Sequence, residues 1–168
     1  DIIGRRDGTP AESGNIGLVT KTGGVFNGWV KADGEYYVLN ANGLAAINAM
    51  MMDKSAGKNV VVNLVDDIDF AGKTWTPVDS HADTKFTFKS LNGNGHTIKN
   101  FSCNQGSYRS FFGIMYGKCY DVKFENAVID GTANEGSQPC GVVAGYAGNK
   151  TGSSWAVIHD VEATGTVT

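Results

Sequence analysis

Apolar and polar residues in this chain alternate mostly in short runs, and one segment alone departs from that habit. Glu35-Tyr36-Tyr37-Val38-Leu39 reads as a strand. Leu44, Ile47 and Met51 then recur at i, i+3 and i+7, which predicts an amphipathic helix over about residues 40–56. Asn40 is placed to cap its start, and Gly57 to stop it after Lys54. Met50, Met51 and Met52 read as core or partly exposed helix positions before they read as a soft binding surface. Residues 1–35 are glycine-dotted without steady periodicity, apart from strand candidates at 17–19 and 25–30.

After the helix the texture changes. Val60-Val61-Val62-Asn63-Leu64-Val65 is a strand run, and Asp66 to Phe70 carries it to a turn at Gly72. Lys85 to Lys89 alternates, Asn92-Gly93-Asn94-Gly95 signals a turn, and His96 to Phe101 reads as another strand. Taken alone, that pair of strands suggests an antiparallel hairpin. Internal similarity argues otherwise. Ile98-Lys99-Asn100-Phe101-Ser102-Cys103, Cys119-Tyr120-Asp121-Val122-Lys123-Phe124 and Ile158-His159-Asp160-Val161-Glu162-Ala163 share one pattern: apolar, any, Asn or Asp, apolar, polar, apolar or small. Between them, Ser110-Phe111-Phe112-Gly113-Ile114-Met115 resembles Val142-Val143-Ala144-Gly145-Tyr146-Ala147 with its glycine in register. Two alternating strand types predict an all-β chain, a right-handed parallel β-helix or solenoid with one N-terminal capping helix. The expected division is 1–57 for the irregular strand region and helix, and 58–168 for the coils of a longer solenoid. The strand-like VEATGTVT at the end, with no cap in sight, adds an expectation of end-to-end self-association through an open C-terminal coil.

Composition supports a β chain and narrows the partners. There are 23 glycines in 168 residues, about twice the usual share of roughly 7%. A net charge of −3, with Arg5-Arg6 as the longest basic cluster, argues against nucleic acid. No apolar run is long enough to insert into a membrane, and no signal peptide is visible at the start. The three cysteines, Cys103, Cys119 and Cys140, lack CxxC spacing. They read as small apolar residues, with a Cys103–Cys119 or Cys119–Cys140 bridge left open.

The ordered segments LNANGLAAINAM, VNLVDDIDFAGKTWTPV, SLNGNGHTIKNF, SFFGIMYGKCYDVKFENAVIDG and GVVAGYAG, followed by IHDVEATGTV, resemble bacterial surface proteins built from GLUG-type repeats on a right-handed β-helix. The resemblance runs from about Asn40 to Thr168, although SFFGIM and VVAGYA are degenerate forms of the glycine-rich repeat. It implies an extracellular or cell-surface, adhesin-like module of a gut bacterium, and it brings no catalytic residues or cofactor with it.

Candidate chemistry is sparse. Asp66, Asp67 and Asp69 form the one acidic cluster, which could offer oxygen ligands to a metal ion or paired acids to a polysaccharide hydrolase. Strand alternation puts Asp67 and Asp69 on one face and Asp66 on the other, which favours a structural role. His81, His96 and His159 stand singly, and no HExxH or GxSxG motif is present. Trp155, Tyr108 and Tyr116 lie in or beside loops, among Asn, Gln and Ser, where rings could stack on sugars while amides bond hydroxyls. The expected function is therefore a non-enzymatic binding module that displays loops to a host or dietary glycan or a surface protein. A polysaccharide lyase or hydrolase is the alternative from another class, and a purely structural stalk is a third.

Overall fold

The computed structural model describes residues 28–79, 87–132, 138–148 and 156–168. The strand candidate at 17–19, His81 and Trp155 lie outside them. In chain order the elements are β1 Trp29–Ala32, β2 Glu35–Val38, α1 Ala41–Met52, β3 Val60–Leu64, β4 Ile68–Asp69, β5 Val78–Asp79 and β6 Phe88–Asn92. They continue with β7 Thr97–Lys99, β8 Ser102–Cys103, β9 Phe112–Met115, β10 Lys118–Ile129, β11 Ala144–Ala147 and β12 Val157–Val167. No helix among the described residues is long and apolar enough to cross a membrane.

The sheet topology corrects the expected right-handed parallel β-helix. The chain is mostly β, but its strands divide between a mixed sheet of nine and a separate sheet of three. The larger runs β1-β2-β3-β6-β10-β7-β4, with β8 and β12 also paired to β10, and the smaller runs β11-β9-β5. β1 and β2 pair antiparallel across a two-residue loop, with Ala32 opposite Glu35. That loop is Asp33-Gly34, with φ of 52° and 79°. Two successive positive φ angles are what a tight hairpin of the right twist demands, and Asp-Gly supplies them. The pairs onto β10, by contrast, are parallel, and β6 and β7 each pair with β10 rather than forming the hairpin that the Asn92–Gly95 turn suggests.

β10 explains the repeated pattern. A straight strand buries alternate residues. β10 buries Cys119, Val122, Phe124, Ala127 and Ile129, a spacing of three, two, three, two. Asp121 and Asn126 stand in the gaps with φ of 55° and 54°, and each adds one residue that resets the phase. Short side chains that bond locally visit this left-handed region at the lowest cost, which is why the position reads Asn or Asp. Asp160 does the same in β12 with φ of 51°, and Cys119 lies opposite Ile158. The Ile98 segment is placed differently from its expected alignment with Cys119. Ile98 lies opposite Phe124 and Cys103 opposite Ile129, so Asn100 matches Asn126. β10 carries the apolar, any, Asn or Asp, apolar run twice, and the Ile98 segment pairs with its second copy, which begins at Phe124, while the Ile158 segment starts opposite the first. Asp69, Asn100 and Asn126 are joined in a chain: Asn100 Nδ2 donates to Asp69 Oδ1 at 2.9 Å, and Asn126 Nδ2 to Asn100 Oδ1 at 2.8 Å.

The core fills the space between the two sheets. Phe70, Trp75, Phe101, Phe111 and Phe124 form one aromatic cluster, in which Trp75 and Phe111 stack with centroids 4.7 Å apart and planes 2° apart. Leu44, Ile47 and Met51 of α1 join it, as their spacing predicts. Asn40 caps the helix by accepting the Gly43 N–H at 2.9 Å. The helix ends at Met52, short of the expected 56, because Lys54 already has a φ of 70°. None of the three cysteines is in a disulfide. Cys119 faces Leu91 and Ile158, and Cys103 faces Ile129, so neither bridge considered from the sequence forms.

Two outcomes follow from this packing. Ala71 has a φ of 50° in an exposed bend without the local bonding of Asn or Asp, so Ala71→Gly should raise stability by about 1 kcal/mol in urea unfolding. Burial pushes the Cys119 thiol up to about 12. Alkylation of the native chain followed by mass spectrometry should mark half-buried Cys140 first and leave Cys119 unmodified until the chain is unfolded.

Candidate functional site

The smaller sheet carries a groove of about 160 Å³. Its walls are Met52 at the end of α1, the Thr76-Pro77 turn, the loop of Gln105, Gly106, Ser107 and Tyr108, and the backbone of Gly113 in β9. Each wall is held from below. Trp75 is 1% exposed, and its Nε1 donates to Phe111 O at 2.8 Å. The Val78 N–H donates to the same carbonyl at 2.9 Å, so Thr76 and Pro77 are pinned on both sides. Asn48 of α1 donates through Nδ2 to Thr76 O at 2.8 Å and ties the turn to the helix.

The loop is held by Arg109. This side chain is buried, and it donates from Nε to Gly106 O at 3.3 Å and from Nη1 to Asp130 O at 2.6 Å. A buried cation bonded to carbonyls fixes the loop's path more firmly than a neutral donor would. Ser110 bonds through Oγ to the carbonyls of Tyr108 and Phe112. Gly113 and Gly145, in register as the repeat predicts, give Tyr108 room to lie close. A Cβ at Gly113 would stand 3.2 Å from Tyr108 O and 3.3 Å from Pro77 Cβ, and one at Gly145 would stand 3.1 Å from Tyr108 Cβ.

The other sequence candidates are placed as follows. Tyr108 is half-buried and forms a wall of the groove. Tyr116 is half-buried beyond the far end of β9, away from Gly113, and Trp155 lies outside the described residues. Asp66, Asp67 and Asp69 do not converge, and among the described residues no three metal-type side chains do. Asp66 accepts the Asp67 N–H at 2.8 Å. Asp67 accepts the Thr97 N–H at 2.9 Å and lies 3.3 Å from His96 Nδ1. The Thr97 N–H chiefly, and His96 after it, hold the Asp67 carboxyl below its ordinary value. Asp69 is likewise lowered, first by the Asn100 amide. His159 bonds Asp160 at 2.8 Å and stacks on Tyr120 with centroids 5.1 Å apart. Both described histidines thus have carboxylate partners.

Asn48, Met52, Pro77 and Arg109 were not singled out as site residues from the sequence. For Asn48 a signal was present: an amide among Leu44, Ile47 and Met51 on the apolar stripe of a helix. For Arg109 the signal was isolation, since it is the only arginine after Arg6.

No family model matches this chain, so none supports the resemblance to GLUG-type repeats, and no curated protein matches it either. Among solved structures it is similar to the crystal structure of a "putative immunoglobulin A1 protease" from Bacteroides ovatus, with a TM-score of 0.65 and 30% identity. The match covers 81% of this chain and 39% of that one. The link is to a bacterial protein, and this chain spans well under half of its neighbour's length.

Acid should test the Asp67 bonds. A carboxyl lowered in the fold contributes stability above its unfolded value, near 3.8, and loses it as pH falls through the lower folded value. Asp67→Asn should therefore flatten the acid limb of urea midpoints measured between about pH 5 and pH 2.

Proposed function

We propose that this chain is a glycan-contacting, adhesin-like module of a longer bacterial surface protein, and that it binds through the Tyr108 groove without chemistry of its own. The observation that carries this reading is the groove's construction. An aromatic ring and a proline form its walls, Thr76, Gln105 and Ser107 supply hydroxyls and an amide, and buried Arg109 keeps the loop in place. A sugar ring offers the matching surfaces, with an apolar face to stack and hydroxyls to bond. At about 160 Å³ the groove is smaller than the roughly 300 Å³ where drug-sized pockets begin, so it suits one ring of a longer glycan. The Bacteroides ovatus neighbour bears a protease name, but the likeness covers 39% of that chain, and a binding segment beside a catalytic one agrees with both.

The test is native electrophoresis through gels containing single host or plant polysaccharides, with reducing-sugar, unsaturated-product and peptide-release assays on the same samples. Retardation without product is the expected result. Tyr108→Ala should weaken it at least about tenfold, and Arg109→Met should weaken it through a loosened loop. Product release would overturn the non-enzymatic reading. Absence of retardation would overturn the glycan reading and direct attention to protein partners.

A further inference from the structure

Five large apolar residues are exposed among the described residues, and three of them, Val157, Ile158 and Val167, stand on β12. The residues opposite their row are not exposed. Ile158 lies opposite Cys119, Val161 opposite Val122, Ala163 opposite Phe124 and Val167 opposite Ile129, and each of those β10 residues is buried. β12 therefore carries the apolar row of β10 one strand further without a cover. Among the described residues β12 pairs with β10 alone, so one edge of its backbone has no ladder. Edge strands are ordinarily guarded by lysine, proline or a bulge. The half from Val161 to Val167 has no lysine, no proline and no left-handed residue.

The side-chain bonds that tie the parallel strands together also stop at β12. Asp69, Asn100 and Asn126 pass them from strand to strand, but the next place belongs to Thr164, whose hydroxyl accepts the Asn126 N–H at 3.2 Å. β12 has that one residue where β10 has Glu125 and Asn126, so its second half runs straight and suits an antiparallel neighbour. Its own sequence supplies one. With a two-fold axis at Ala163, that residue meets its counterpart, and Val161 meets Gly165 of the second copy, a branched side chain against none. The Asp160 bend sets two residues against Thr166, and Ile158 then meets Val167 on the same apolar face. On the other face Glu162 meets Thr164 and keeps Lys123 of its own chain at 3.6 Å, so no like charges stand directly opposed. We infer that this edge joins two copies of the chain, β12 on β12 and antiparallel, as a closed two-fold dimer. The pairing goes beyond the glycan-contacting reading and does not depend on it.

The experiment is sedimentation equilibrium of the whole chain over a wide range of concentration, joined to site-directed cross-linking. The mass should rise from one chain to two and no further. Ala163→Lys sets two cations against each other at the axis and should weaken the dimer at least about tenfold. Ala163 is exposed, so the thermal midpoint of that variant should stay near wild type. In a Cys140→Ser background, Ala163→Cys should be joined to its counterpart by a short thiol-to-thiol alkylating reagent, since facing Cβ atoms lie within about 5.5 Å. Ile158→Cys should not be joined, because the two copies of that residue lie at opposite ends of the paired strands. The cross-link decides the matter should Ala163→Lys not fold. A chain that stays monomeric at every concentration would overturn the inference, and so would a mass that grows beyond two. A dimer that Ala163→Lys leaves intact, or that Ala163→Cys does not cross-link, would overturn the pairing through β12.

Discussion

Main-chain pairing along β10 is the constraint on which the rest of the structure depends. This strand takes β6, β7 and β8 on one side and β12 on the other, so four strands read their register from it. Its two left-handed residues decide which side chains face inward. Because Asp121 and Asn126 each shift the phase, Cys119, Val122, Phe124, Ala127 and Ile129 all point into one core. Burying a side chain of this kind is worth about 1.5–3 kcal/mol for the larger ones, far more than the strain of two bends. The hydrogen-bonded chain from Asp69 through Asn100 to Asn126 lowers that strain further by giving the bend residues partners.

The groove is a consequence of the same packing. Phe111 sits at the centre of the aromatic cluster, and its carbonyl accepts from both the Trp75 indole and the Val78 amide. Thr76 and Pro77 are carried between those two anchors, so one wall is fixed by the core itself. The opposite wall is fixed by Arg109, which spends its donors on backbone carbonyls. Walls that are ordered before a ligand arrives need not be ordered by it, and that lowers the cost of binding for a site this small. The acid residues that drew attention in the sequence serve the fold instead, as partners of Thr97, His96, Ala71 and Asn100.

Much of this was legible in the residues, but unevenly. The Asn40 cap, the Leu44, Ile47 and Met51 stripe, and the register of Gly113 with Gly145 follow from local rules, and the structure keeps them. The overall architecture was read too uniformly. Asp33-Gly34 carries a hairpin signal that is hard to tell from the scattered glycines around it, and the antiparallel β1–β2 pair depends on it. The pattern apolar, any, Asn or Asp, apolar recurs inside β10 itself, so similarity alone could not say which copy Ile98 lies beside. Tyr108 was legible as a ring next to a loop. Its partners in the groove were not, because Met52 and Pro77 are distant in sequence and meet Tyr108 only through the fold.

The bends of β10 also separate two kinds of genetic change. At Asp121 the backbone asks for a residue that tolerates a left-handed turn, and asparagine or glycine would serve the same geometry. Losing the codon altogether is another matter. Cys119, Val122 and Phe124 would still alternate inward, but the strand would be one residue short, and the pairs beyond the bend, Val122 with Val161 and Lys123 with Thr97, would slip out of register with those before it. What this position stores is a count rather than an identity. Lineages of such a chain should therefore exchange Asp, Asn and Gly at the bend while conserving its length, and change in length should collect in the loops between strands.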